Sequence, residues 1–467
     1  MVSNPAMIKT VHRRRLPRFH ATPPKTRGPY VAALFALAMW AAFACTAKQA
    51  TAAIGAPATQ PAVVLPRIPN RHFNIKKYGA RGNGTTVNTV AIQKAINACV
   101  HSGGGTVVVP RGTFMTGPLV LGSRLNLHIK RGGVLKMVGT FKTYWPQPGV
   151  KVLLHSGYNN CIAANHCHDI ALTGHGAIDG NGAHWWRVYH KTDGKMPNLP
   201  HRPFMVVLNR CTRVLVKNLS LRNSPCFHLV PNACREVTIE GVHITAPANA
   251  ANTDGLDPSG WHYLIKNCVF NEGDDCIAIK PSIGTPRHPS CHDFLIEHCT
   301  FLHGHGMSIG GQTAGCLRDL IVRDCTFNGT HAGIRMKAGR GYGGLVEDLT
   351  YENLRMKHVV WPIKIDSYYP KKPRRPQDEA RAPVTRLTPI WRNILIRNVT
   401  AVDARHAGSI LGLPEMPVKT LTMQNVHIIA KQGMIIVDAK GVRLVHCRLG
   451  VSRGPALELH HAQVAAH

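Results

Sequence analysis

Eight times between Val216 and Ile428 the chain repeats the same six positions: apolar, polar, a turn former, apolar, polar, apolar. The units are VKNLSL from Val216, IEGVHI from Ile239, IKNCVF from Ile265, IEHCTF from Ile296, VRDCTF from Val322, YENLRM from Tyr351, IRNVTA from Ile396 and MQNVHI from Met423. Their first residues lie 23, 26, 31, 26, 29, 45 and 27 apart, a period that belongs to stacked repeats. Apolar and polar residues alternating over so few positions make short strands, and a turn former at one fixed place bends the chain in every unit. A sandwich or propeller also uses short strands, but a propeller blade takes about 40 residues, longer than all but one of these steps. The expected fold is all-β, a right-handed parallel β-helix in which residues one coil apart become neighbours at about 4.8 Å on one face.

Such a stack must cover its open end. Val87, Val90, Ala91, Ala95, Ile96 and Ala98 fall at helical spacing, Ser102 and Gly103 to Gly105 end the helix, and a strand at Val107 to Val109 follows, so a short N-terminal capping helix is expected. One β-helix domain is assigned to residues 72–467 and a Pro-rich linker to 54–71. Residues 1–53 read as a signal peptide. Lys9, Arg13, Arg14, Arg15, Arg18, Lys25 and Arg27 precede a 15-residue apolar run, Val31 to Cys45, too short to span a bilayer at about 20 residues. Small residues follow from Thr46 to Ala53. Export with cleavage, to a secreted or periplasmic location with no stable membrane insertion, is expected; an uncleaved anchor, a twin-arginine signal or a lipoprotein site at Cys45 are the alternatives.

Lys and Arg number 56 against 24 Asp and Glu, a net charge of +32. Eight of those bases and none of the acids lie in residues 1–53, so 48 bases and 24 acids remain, or +24. The excess calls for an acidic partner, and nucleic acid, an anionic sugar polymer and an anionic membrane would all respond to it. A nucleic-acid binder would interleave aromatic residues with the basic ones; aromatics are only 6% of the chain and no such motif occurs. Thirteen cysteines beyond Cys45 are compatible with disulfides, and the lack of any C-x-x-C pair gives a zinc site little support. The 45-residue step holds a long loop, Tyr368 to Pro389, with Lys371, Lys372, Arg374 and Arg375. It is either a solvated insertion or a wall of a cleft for an anion.

Between repeat units lie Asn252-Thr253-Asp254-Gly255, Gly273-Asp274-Asp275-Cys276, Gly304-His305-Gly306 and Arg335-Met336-Lys337, read as one phase of successive coils. Stacking would gather them. Crowded carboxylates raise one another's pKa, so one can stay protonated as a general acid while the others act as bases, which is the equipment for glycosidic cleavage. Arg335 and Lys337, alternate residues of a strand, would face one way and hold a sugar carboxylate. His305 would tune an aspartate, with its flanking glycines giving the substrate room. Taken singly, a surface turn, a calcium ligand or an ordinary strand accounts for each motif.

With NTDGLD at Asn252 to Asp257, GDDCIAIK at Gly273 to Lys280, GHGMSIG at Gly304 to Gly310 and GIRMK at Gly333 to Lys337, the sequence resembles the polygalacturonases of glycoside hydrolase family 28, bacterial members above all. The resemblance runs from about His72 to the last repeats. It implies hydrolysis of α-1,4 bonds between galacturonates of pectin, with inversion and without metal or other cofactor, by a single copy of the chain. It makes Asp274 the general acid, Asp254 and Asp275 the pair that activates water, and His305 their support. Arg335 and Lys337 become substrate-carboxylate binders, Asn252 a cleft-positioning residue and Tyr369 a substrate contact. Met336 stands for the usual Ile, and Gly311 for a frequent Ser. A pectate lyase, which uses calcium, a hydrolase of rhamnogalacturonan or xylogalacturonan, and a catalytically silent polysaccharide-binding β-helix are the other readings. Endo action is favoured slightly over exo action.

Overall fold

The computed structural model describes residues 63–144, 159–192, 202–281, 287–288 and 290–467. The unit Met1–Pro57, with the leader reading, lies outside them; the account below concerns the unit Ala58–His467.

The repeat units do stack. Val216, Ile239, Ile265, Ile296, Val322, Tyr351, Ile396 and Met423, the first residue of each, are consecutive parallel partners. The sixth residues, from Leu221 through Ile244, Phe270, Phe301, Phe327, Met356 and Ala401 to Ile428, form a second such column on the next face. Both columns point inward and are buried. The third residue, which bends the chain from one face to the other, is left-handed in all eight units, with φ from 52° at Asn425 to 63° at Gly241. Asn and Gly accept that conformation at least cost. The Asn side chains also pair along the column: Asn398 Nδ2 donates to Asn353 Oδ1, and Asn425 Nδ2 to Asn398 Oδ1, both at 3.1 Å. The result is the expected parallel β-helix, and the 45-residue step is still one coil, since Tyr351 and Ile396 are direct partners.

The cap is a helix, Thr89–His101, that buries Ile92, Ala95, Ile96 and Cys99. Val87 and Val90 are not on that stripe: Val87 ends the strand Asn83–Val87, and Val90 is 69% exposed. The chain turns at Asn88, whose side-chain amide holds the carbonyls of Arg81 and Thr86, and this delays the helix by two residues. The described end of the linker is docked. The Val64 and Arg67 amides donate to Glu236 and Asp169 at 2.8 and 2.9 Å. The cysteine content is compatible with disulfides, but all thirteen described cysteines are free and all but Cys447 are buried. Several occupy equivalent positions in successive coils, such as Cys268, Cys299 and Cys325, where parallel side chains stand side by side as small core residues. Among the described residues no helix is long and apolar enough to cross a membrane.

Phe301 lies between Phe270 and Phe327 with ring centroids at 5.2 and 4.4 Å and is fully buried. Phe301→Ala is expected to cost about 3–5 kcal/mol of stability, read from urea or guanidinium unfolding; a loss under about 1 kcal/mol would mean that this stack is not part of the core that holds the coils.

Candidate active site

The third face of the solenoid carries the chemistry. Its strands include Leu229–Asn232, Ile277–Ile279, Met307–Gly311, Ala332–Ala338 and Trp361–Asp366, with Leu256 bridging the first two. Leu256, Ile277, Met307, Ile334 and Ile363 are successive partners. Asp254, Asp275 and His305 each stand two residues before a member of that row, so they share one column. The R-x-K motif does not share that phase: Ala332 occupies it, and Arg335 and Lys337 sit three and five residues further on. Their long side chains reach back across the coils instead. Arg335 Nη1 donates to Asp275 Oδ1 and Lys337 Nζ to Asp275 Oδ2, both at 2.6 Å, while Met336 between them is buried in the core.

Asp275 is therefore a clamped anion. Ser308 Oγ adds a third donor at 2.9 Å. Burial alone would raise its pKa, but His305, Lys337 and Arg335 outweigh that and hold it well below the usual carboxylate range. Asp274 is more open and accepts the backbone amides of Asn252 and Asp275 at 3.2 and 2.9 Å. Asn252 in turn is fixed by Arg202 Nη2 at 2.7 Å, and Arg202 lies over the Tyr189 ring. His305 Nδ1 stands 3.0 Å from Asp274 Oδ1 and 3.5 Å from Asp275 Oδ1, as an ion-pair contact off the direction of a straight hydrogen bond. Burial disfavours the imidazolium, yet the two aspartates raise the His305 pKa to about 9. Burial would likewise raise Asp274, but His305 leaves it below its ordinary value.

The proton preference thus departs from the expectation. Among the three aspartates it is Asp254, fully enclosed and next to Asp257, whose carboxyl burial pushes well up, against the pull of Lys280. Lys280 Nζ donates to Asp254 Oδ2 at 3.0 Å and Asp257 Oδ2 at 2.6 Å, so two carboxyls share one ammonium and Asp254 Oδ1 has no partner. Sequence reasoning assigned no role to Lys280, Asp257 or Ser308. The signal for Lys280 was available, because Ile277 and Ile279 face the core and the alternation turns Lys280 outward. Nothing in the sequence marked Arg202, which comes from a different coil.

Two other expectations change. The glycines beside His305 do not make room for substrate: both have left-handed backbones, and a Cβ would meet the Asp274 carbonyl at Gly304 (2.4 Å) and the Ala332 carbonyl at Gly306 (1.8 Å). Gly311 has a purpose, since a Cβ there would fall 2.4 Å from Cε1 of Tyr369, whose ring lies 5.1 Å from Lys337 Nζ. A serine at 311 would displace that ring. Asp274, Asp275 and His305 are close enough to share a metal ion, as are His262, His292 and Asp293 on another face. At the first cluster Arg335, Lys337 and the imidazolium already neutralise the carboxylates, which opposes a further cation.

Residues 99–447 match glycosyl hydrolases family 28. A probable polygalacturonase of Vitis vinifera is 29% identical over 389 residues, 78% of this chain and 77% of that protein. An endo-polygalacturonase of Pectobacterium carotovorum subsp. carotovorum is 33% identical over 61% of this chain and 73% of its own length. The crystal structure of a hyperthermoactive exopolygalacturonase from Thermotoga maritima superposes with a TM-score of 0.70 at 25% identity, covering 82% of this chain and 94% of that one.

His305 binds its proton more tightly folded than unfolded, so its contribution to stability is complete below about pH 6.5 and is lost as the pH rises through about 9. The stability gap between the protein and His305→Gln is expected to shrink over that interval, measured by denaturant unfolding at stepped pH. A gap that stays constant from pH 6.5 to beyond 9 would show that the imidazole is neutral in the site.

Proposed function

The chain belongs to glycosyl hydrolases family 28, and from that membership we propose that it hydrolyses the α-1,4-galacturonosidic bonds of polygalacturonate and pectin, with inversion at the anomeric carbon. One observation carries the reading: three aspartates drawn from neighbouring coils meet beside Arg335 and Lys337, in a chain with more than twice as many bases as acids. Anionic sugars are attracted there, and one carboxylate is already held ionised.

In this reading Asp274, the most open of the three, protonates the leaving glycosidic oxygen, and water attacks the anomeric carbon from the opposite side. The proton is held at His305, 3.0 Å from Asp274, and passes to Asp274 as the negatively charged substrate closes over the pair. Asp254 and Asp275 activate the attacking water. Their environments divide that work between them: Asp275, which its cations hold ionised, takes the proton, while Asp254, whose burial favours the protonated form, fixes the position of the water. Arg335 and Lys337 reach the substrate carboxylate, and the Tyr369 ring beside Lys337 flanks the sugar. The first residues of the Tyr368 to Pro389 loop thereby border the cleft.

Endo cleavage is proposed over exo cleavage, supported by the run of further coils beyond Lys337 on the same face. Export, with residues 1–53 removed, is proposed from the basic and apolar runs, and residues 72–467 as the single catalytic domain.

The test uses de-esterified polygalacturonate with a chelator present. New reducing ends without ultraviolet absorbance are expected, released as a ladder of oligomers. An absorbing product once calcium is restored would mean a lyase, and no product from plain or branched pectins, even with calcium restored, would mean a binding protein. Asp274→Asn is expected to lower kcat by about 100-fold or more while substrate still binds; full turnover in that variant would remove Asp274 from the mechanism.

A further inference from the structure

Beyond Arg335 the third face continues into a coil that the resemblance does not explain. Lys364 is the direct partner of Arg335, one coil further along the axis, and on the side away from the catalytic aspartates. Ile363 and Ile365 on either side are buried in the core, so the alternation turns Lys364 outward on the same side as Arg335 and Lys337. Its ammonium lies 5.5 Å from the Trp361 ring, and Trp361 stacks on His406 from the following coil, with centroids 3.7 Å apart and planes within 5°. All three side chains are only half-buried. The stack borders a groove of about 300 Å³ that Gln432 and Arg453 continue.

Charge is unbalanced here. Arg335, Lys337 and Lys372 all face Lys364, with Asp366 as the nearby acid, and Arg335 and Lys337 also donate to Asp275. Among the described residues no carboxylate pairs with Lys364. Burial first, and then the crowding of cations, disfavours its charge, as both disfavour protonation of His331 and His406. Mutually repelling cations beside an exposed aromatic surface are at rest when an anion with an apolar face joins them.

We propose that Lys364, Trp361 and His406 form a separate uronate-binding subsite next to the catalytic one, in which Lys364 takes the carboxylate of a second sugar and the Trp361–His406 stack takes its ring. A polyuronate carries one carboxylate per sugar, so a cleft that grips several sugars needs cations at intervals along its length. Arg335 and Lys364 supply them one coil apart, about 4.8 Å along the axis. The inference rests on the reading of the neighbouring site as a polyuronate hydrolase.

The test compares Lys364→Gln, Lys364→Arg and Trp361→Ala in the full chain, on long polygalacturonate and on trigalacturonate. Lys364→Gln and Trp361→Ala are expected to raise KM for the polymer by about 5- to 10-fold with little change in kcat, to shift KM for the trimer less than about 2-fold, and Lys364→Arg to restore most of the loss. Equal effects on both substrates, or none on the polymer, would overturn the subsite. If the unmodified protein releases no reducing ends, the hydrolase reading fails separately, and calorimetric binding of hexagalacturonate decides the subsite: weaker binding to Lys364→Gln supports it, and unchanged binding overturns it.

Discussion

Each coil is fastened to the next by parallel main-chain hydrogen bonds, and within the repeat units from Val216 to Ile428 the register is kept, which the rest of the molecule inherits. Because the first and sixth residues of every unit stay aligned from Val216 and Leu221 to Met423 and Ile428, apolar side chains pile into continuous inner columns. A shift of one residue in any coil would turn its core residues outward. The left-handed third position keeps the bend in the same place, so insertions are pushed into loops such as Tyr368 to Pro389 without disturbing the stack.

The same constraint builds the site. Asp254, Asp275 and His305 are 21 and 30 residues apart in sequence, yet one column brings them together. Burying carboxylates so close to one another is costly unless cations compensate. Here Arg335 and Lys337 serve Asp275, and Lys280 serves both Asp254 and Asp257. These bases are the counter-charge that lets the site exist, and because each is matched by a carboxyl they add nothing to the chain's basic excess. The asymmetry of that compensation gives each carboxyl a different affinity for a proton, which a general acid and base pair requires.

Sequence patterns exposed the architecture because a solenoid writes its period directly: each unit has to satisfy the same turn and the same two inward positions. A second left-handed column, through Asp169, Arg213, Glu236, His262, Asp293, Asp319, Asp348, Asn393 and Thr420, went unread, since Arg213, Glu236, His262 and Thr420 interrupt its run of Asp and Asn and hide the repeated turn former. The state of the thiols was not legible for a related reason. Spacing brought cysteines into neighbouring coils, but it carried no information on whether parallel side chains would join or merely pack.

What the sequence determined by itself is the coil, its period, and the identity of the reactive groups, because these follow from residue type and spacing along one strand. What only the tertiary structure decided is the state of those groups. Arg335 reaches Asp275 across two coils, Lys280 divides itself between two carboxyls, Gly311 makes way for Tyr369, and the proton favours Asp254 and His305 over Asp274. Proton affinity depends on burial and on charges a few ångströms away, and those distances exist only after the coils have stacked.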